Sequence, residues 1–196
     1  MMHRCRLIAL LLMCFTTAAV ATSMSPGELI EAGVTRLTKQ MLTQRAVLES
    51  DMEKVYALVD RELGPHLAVR KIARLVVGRH WQKATQAQQE EFTASFRRLL
   101  IKTYAVSIFE HISEAKVEFK PFSLKKDART AIVRTLIRFD DGSRLPVDYK
   151  LLRVGDGQWL IYDVLISRLS LVINFRNSYG RIVESDGFDA LLELLR

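Results

Sequence analysis

Beyond the N-terminal leader, three imidazoles, two acidic pairs and one mid-strand carboxylate are the side chains that could do chemistry. His66, His80 and His111 stand 14 and 31 residues apart. None forms an H-E-x-x-H pair, and no carboxylate or cysteine grouping completes a metal ligand set. No metal site is expected. Glu90-Glu91 would diverge on a helix, because neighbours one apart do not share a face. Asp140-Asp141 precedes Gly142 and reads as turn chemistry. Asp163 lies between Tyr162 and Val164 in an apolar run. It could be a catalytic acid, but an acid bonded to backbone or paired with an arginine is the simpler reading. There is no G-x-S-x-G nucleophile elbow and no glycine-rich phosphate loop. No enzyme is therefore expected, and no cofactor.

The elements that would position a site follow from period and punctuation. Ser25-Pro26-Gly27-Glu28 is a capping box, with Ile30, Val34, Leu37 and Met41 following at helical spacing. A second helix is predicted over 51–63, stopped by Gly64-Pro65. A third is predicted over about 66–77, its apolar face Val69, Ile72, Ala73 and Val76, closed by Gly78. Thr85-x-x-Gln88 opens the longest, striped by Phe92, Phe96, Leu99, Leu100, Tyr104 and Ile108. After Ser113 the period changes to two. Strands are predicted over 116–124, 130–139, 145–153 and 159–167, the last three forming an antiparallel meander. Leu145, Val147, Tyr149 and Leu151 fall on one face, Asp148 and Lys150 on the other. In the last strand Trp159 and Ile161 fall on one side, with Leu160, Tyr162 and Val164 on the other. Helices return at 169–179 and 188–195. The expectation is one α+β domain: a four-stranded antiparallel sheet covered by about six or seven helices. The helices at 66–77 and 86–110 are expected over the Val147–Tyr149–Leu151 face.

The leader bounds where this domain works. Arg4 and Arg6 precede an apolar run from Leu7 to Phe15, and small residues end in Ala19-Val20-Ala21. That is a secretory signal peptide over residues 1–21, too short in its apolar part to span a bilayer. The domain is then 22–196, cleaved after Ala21. Both cysteines, Cys5 and Cys14, belong to the leader, so no disulfide is expected. The chain has 29 Lys+Arg against 22 Asp+Glu, net +7. Loss of the two leader arginines leaves about +5. Such a charge suits anionic lipid surfaces or acidic partners, or serves solubility alone. No nucleic-acid motif is present.

Leu75-Val76-Val77-Gly78-Arg79-His80-Trp81 leads into Ala84-Thr85-x-x-Gln88-x-x-x-Phe92. Phe96-Arg97-x-Leu99-Leu100 and Thr103-Tyr104-Ala105 follow, then Trp159-Leu160-Ile161-Tyr162-Asp163-Val164 and Ser170-Leu171-Val172-x-Asn174-Phe175-Arg176. Together, in order and spacing over most of 26–195, these runs resemble the MlaC, or toluene-tolerance auxiliary, family. The sequence departs from that pattern at Leu67-Ala68-Val69, where the family has aromatic-Asp-aromatic. It departs again at Arg168, where the family has glycine.

The resemblance implies a monomeric periplasmic carrier of glycerophospholipid. Its partners would be an inner-membrane MCE-protein ABC transporter complex and an outer-membrane lipoprotein complex. The lipid would be cargo, held by its acyl chains in an apolar pocket. Helix residues Ile72, Val76, Phe96, Leu100 and Tyr104 are expected to confront sheet residues Val133, Val147, Tyr149, Leu151 and Ile161 around the tails. Arg168 and Arg176 are expected at a head-group rim. Two other readings stand beside this one. One is an exported enzyme or sensor holding another hydrophobic ligand, using Asp163 or His111. The other is a module that only docks on membrane proteins.

Overall fold

The structure is a computed structural model that describes residues 24–155 and 157–196. The signal-peptide expectation over 1–21, with Cys5 and Cys14, lies outside the described residues. Six helices and five strands are arranged as α1 (Pro26–Thr43), α2 (Arg45–Glu49), α3 (Met52–Leu63), α4 (Val69–Val77), α5 (Gln86–His111), β1 (Ala115–Phe119), β2 (Thr130–Phe139), β3 (Arg144–Val154), β4 (Gln158–Ile166), β5 (Leu169–Ser170) and α6 (Leu171–Leu194). Short 3-10 turns, Gly64–His66 and Gly78–Gln82, precede α4 and α5. Both predicted capping boxes form, at Ser25 and at Thr85. Each satisfies two backbone donors that a bare helix start would leave unpaired.

The strands form one antiparallel sheet in the order β1-β2-β3-β4-β5. The four expected strands are present, and the two-residue β5 adds a short edge. The first strand ends at Phe119 rather than continuing to Leu124. Pro121 has no N–H to give the ladder, and Phe122 instead packs beside Gly27 and into the cluster under α1. The two predicted C-terminal helices run together as α6, with a break at Gly187, whose φ is 87°.

A β-bulge in β4 decides which side chains point where. Lys150 pairs with Asp163, while Leu151 pairs with Ile161, so Tyr162 is the extra residue. Simple alternation would place Val164 with Leu160 and Tyr162. The bulge instead turns Val164 to the face of Tyr149, its cross-strand partner. It also turns Asp163 to the face of Lys150. The inner face so defined carries Ala131, Val133, Thr135, Ile137 and Phe139 on β2. Leu145, Val147, Tyr149 and Leu151 continue it on β3, and Trp159, Ile161, Val164 and Ile166 on β4.

Three apolar clusters hold the helices and sheet together. In one, Leu29 and Ile30 of α1 cover Ala131, Val133, Leu151, Trp159 and Ile161. A second joins α1, α2, α3 and the C-terminal half of α5 around Met41, Val55 and Phe109. The third joins α4, the N-terminal half of α5 and α6. At its centre Phe92 and Phe96 stack at 5.5 Å, while Phe175 and Tyr179 meet Phe96 edge-on at 5.1 and 6.0 Å.

The expectation that α4 covers the sheet face is corrected. Leu67 bridges to Ile161 in parallel, and the Ala68 N–H donates to the Ile161 carbonyl at 2.8 Å. This ties the start of α4 to the β4 edge, so α4 lies beside the sheet. The helix over the inner face there is α1.

Candidate functional site

The path of α5 creates the most distinctive feature. Its first half is buried between α4 and α6, beside the β4 edge. Its end leads through residues 112–114 into β1, at the opposite edge of the sheet. The second half must therefore cross in front of the inner face. Leu100, Tyr104, Ile108 and His111 form one stripe at i, i+4, i+8 and i+11. Where the stripe ends, the His111 ring meets the Phe139 ring edge-on, 6.0 Å between centroids. The stripe thus reaches the inner face at its His111 end, while Leu100 packs against the α4–α5–α6 cluster, Tyr104 lies near Tyr179 of α6, and Ile108 packs against the cluster of α1, α2 and α3.

Neither surface is fully covered. Leu100, Tyr104 and Ile108 are half-buried. So are Val117, Ile137, Phe139, Leu145, Val164 and Ile166 on the inner face, and of these only Val164 packs against the cluster under Leu29 and Ile30. Elsewhere the sheet is closed: Val133, Leu151 and Ile161 lie under α1. Tyr149 stands on the border between the two halves. Burial pushes its phenol up to about 12, with the nearby Thr135 hydroxyl acting in the opposite sense. Yet the side chain retains accessible surface. Tyr149 is thus deep in the fold without being fully covered. Burial also raises Tyr104, and Tyr179, which feels Tyr104 besides. The polar atoms in this region are satisfied internally, as in the Thr135 hydroxyl's 2.8 Å bond to the Val147 carbonyl. A seam of this kind favours aliphatic chains, since it offers contact area and few polar partners.

The expected site residues divide between these regions. Leu100 and Tyr104 lie on the α5 stripe, and Val147 and Tyr149 lie on the inner face. Ile72, Val76 and Phe96 are brought together, but inside the α4–α5–α6 cluster. Val133, Leu151 and Ile161 are brought together under α1. These two groups do not face each other, because the β4 edge with its Leu67 bridge stands between them. The sequence places Ile108 and Leu145 on apolar faces without making them tail contacts, puts Val164 on the opposite face, and does not single out Val117, Ile137 or Ile166. The period-two pattern of β2 and β3 held the signal for some of them, and the bulge hid Val164 and Ile166.

The two rim arginines are also apart. Arg168 occupies the β4–β5 turn, where it and Ser167 have φ of 68° and 50°. This is the backbone region that glycine adopts without strain, and the resemblance places glycine there. Arg176 projects from the flank of α6 into an open cleft of about 650 Å3 against the Gly78–Gln82 turn.

The candidate chemical groups are structural. Asp163 is 6% exposed and accepts from Lys150 Nζ at 3.2 Å, Ser170 Oγ at 2.8 Å and the Val172 N–H at 3.2 Å. Its partner is a lysine, not an arginine, because the bulge puts Lys150 opposite. His66, His80 and His111 stay on three separate elements. Burial is the main cause lowering His66, with Arg36 adding to it and Glu62 opposing. Among the described residues no group of three or more His, Cys, Asp or Glu could hold a metal, and no helix is long and apolar enough to cross a membrane.

Comparison with known proteins agrees with this architecture. Residues 31–196 match the MlaC protein family. The chain is 23% identical over 183 residues to the toluene tolerance protein Ttg2D of Pseudomonas putida, covering 93% of this chain and 83% of that one. It is 21% identical over 179 residues to the intermembrane phospholipid transport system binding protein MlaC of Haemophilus influenzae, covering 90% and 83%. The structure of a phospholipid-binding protein from Ralstonia solanacearum, solved in complex with a phospholipid, superposes with a TM-score of 0.80 at 25% identity. That match covers 88% of this chain and 95% of the other. With five-sixths of its length matched in one continuous run, the chain belongs to the MlaC family.

Proposed function

We propose that this protein is a periplasmic phospholipid carrier that holds acyl tails in the seam between α5 and the uncovered half of the sheet's inner face. The observation that carries the reading is the likeness to the Ralstonia protein, which was solved with a phospholipid bound. The half-buried apolar residues of α5 and of the inner face, with His111 and Phe139 meeting where α5 ends, support it independently. Two acyl chains contain on the order of 30 methylenes, each costing ~0.8 kcal/mol in water. Unaided transfer through water is therefore blocked, and a carrier needs only to shield the tails. The head group can stay hydrated at the mouth, so no catalytic residue or cofactor is required. The leader pattern and the family likeness support export to the periplasm. The family likeness further supports exchange with an inner-membrane MCE-protein ABC transporter complex and an outer-membrane lipoprotein complex.

The test is to export the protein in a bacterial host, purify it without detergent, extract it with organic solvent and analyse the extract by mass spectrometry. About one phospholipid per chain is expected. Recovery of lipid-free protein that also fails to accept lipid from vesicles would refute the reading.

A further inference from the structure

We propose that the cleft between α6 and the Gly78–Gln82 turn is an anion site that takes the phosphate group of a phosphodiester head group. It is separate from the seam in which tails are placed. Arg176 and Arg181 enter it from α6 and Arg79 from the turn, against the single carboxylate of Glu184. Three guanidiniums and one carboxylate leave the cleft with a net charge of about +2 for an anion to neutralise. Arg181 is partly engaged, its Nε donating to the Asn177 carbonyl at 2.7 Å. Arg79 pairs with Glu184 across the mouth, with both side chains largely exposed. Such a pair is held weakly and can open to an incoming phosphate. Among the described residues Arg176 has no carboxylate partner.

Two glycines shape the space. Gly78 has φ of 58°, and a Cβ there would stand 2.8 Å from an Arg176 guanidinium nitrogen. The missing side chain lets the guanidinium lie against the turn. Gly180 sits mid-helix, where alanine is the better helix former. A Cβ there would meet nothing within 4 Å, so packing does not require glycine, and the cleft stays open over it. The volume of about 650 Å3 exceeds what a bare ion needs and admits an ester substituent. Guanidiniums arriving from two elements suit the several oxygens of a tetrahedral phosphate. Glu184 and Asn177 are placed to receive hydroxyl or ammonium donors of the same head group. Arg176 adjoins the core face of α6, with Val172, Tyr179 and Val183, while Asn177, Glu184 and Arg181 lie further round the helix.

The test is calorimetric titration of the full mature protein with glycerophosphoglycerol, with inorganic phosphate and with an acidic glutamate peptide. Co-sedimentation with phosphatidylglycerol and with phosphatidylcholine vesicles runs alongside. Glycerophosphoglycerol should bind, and Arg176→Ala should weaken it about tenfold or more, with unfolding midpoint unchanged. Gly180→Val should weaken it by filling the cleft while leaving every arginine in place. Arginine-dependent binding to phosphatidylglycerol vesicles would assign the source as a bilayer lipid. Binding of the soluble diester without the vesicles would assign a free phosphodiester. Absence of diester binding, equal affinity for the glutamate peptide, or wild-type affinity in Arg176→Ala would each overturn the proposal.

Discussion

Replacing Asp163 by alanine should unlatch β4 from the start of α6. The carboxylate is 6% exposed and holds three donors: Lys150, Ser170 and the Val172 N–H. Removing one partner of a buried ion pair costs roughly 3–5 kcal/mol. Lys150 is 27% exposed and can turn to water, which takes the ion-pair part to the low end or below. The Val172 N–H, left without its acceptor in a buried place, adds roughly 1–3 kcal/mol. Together the loss is about 3–4 kcal/mol. With a urea dependence near ~2 kcal/mol per molar, the midpoint should fall by ~1.5–2 M. Asp163→Asn keeps an acceptor oxygen for the Val172 N–H and should lose about half as much. The assay is urea unfolding followed by tryptophan fluorescence, with lipid content measured on the same samples. A midpoint within ~0.5 M of wild type would refute the latch. So would loss of lipid with an unchanged midpoint, since Asp163 would then be a functional residue.

Other outcomes follow from the same geometry. Val147→Trp should displace lipid while lowering stability by less than ~1 kcal/mol; if lipid is retained and stability falls by ~1–3 kcal/mol, Val147 is simple core. The Tyr149 phenol is raised from 10 to about 12, so folding stabilises the protonated form. Its contribution, on the order of 2–3 kcal/mol, is whole below pH 10 and is lost as pH rises through 12. Denaturation midpoints measured from pH 9 to 12.5 should show that decline, and Tyr149→Phe should remove it; an unchanged decline in the variant would show that another group causes it. Gly180→Ala should raise stability by about 1 kcal/mol in thermal melts, because the helix gains and nothing is struck. A loss instead would mean that neighbouring atoms crowd the Gly180 flank of α6.

Much of the fold was legible because local chemistry dictates it. The Ser25 and Thr85 capping boxes start α1 and α5 where the residues say. The turns after Phe139 and Val154 set the meander. What stayed hidden was long-range. A periodic face tells that Ile72, Val76 and Phe96 are buried, but not that they meet α6 rather than the sheet. Leu29 and Ile30 carry no sign that they cover Val133 and Leu151. The bulge at Tyr162 is a one-residue insertion in the ladder, and strict alternation cannot see it. It moves Asp163 to Lys150 and Val164 to the inner face. Of the residues proposed for the seam, Leu100, Tyr104, Val147 and Tyr149 are candidates from sequence alone, while Ile108 and the outer strand residues enter only with the path of α5.

The central claim, that lipid tails lie between α5 and the inner face, is tested most directly by photocrosslinking. A phospholipid with a diazirine at the end of one acyl chain is loaded onto the mature protein, irradiated, and the adducts are mapped by peptide mass spectrometry. The account predicts adducts on the stripe of Leu100, Tyr104 and Ile108 and on strand residues such as Ile137, Val147 and Val164. Adducts confined to the Arg176 cleft, to the outer sheet face at Ile132, or scattered over the surface would contradict it.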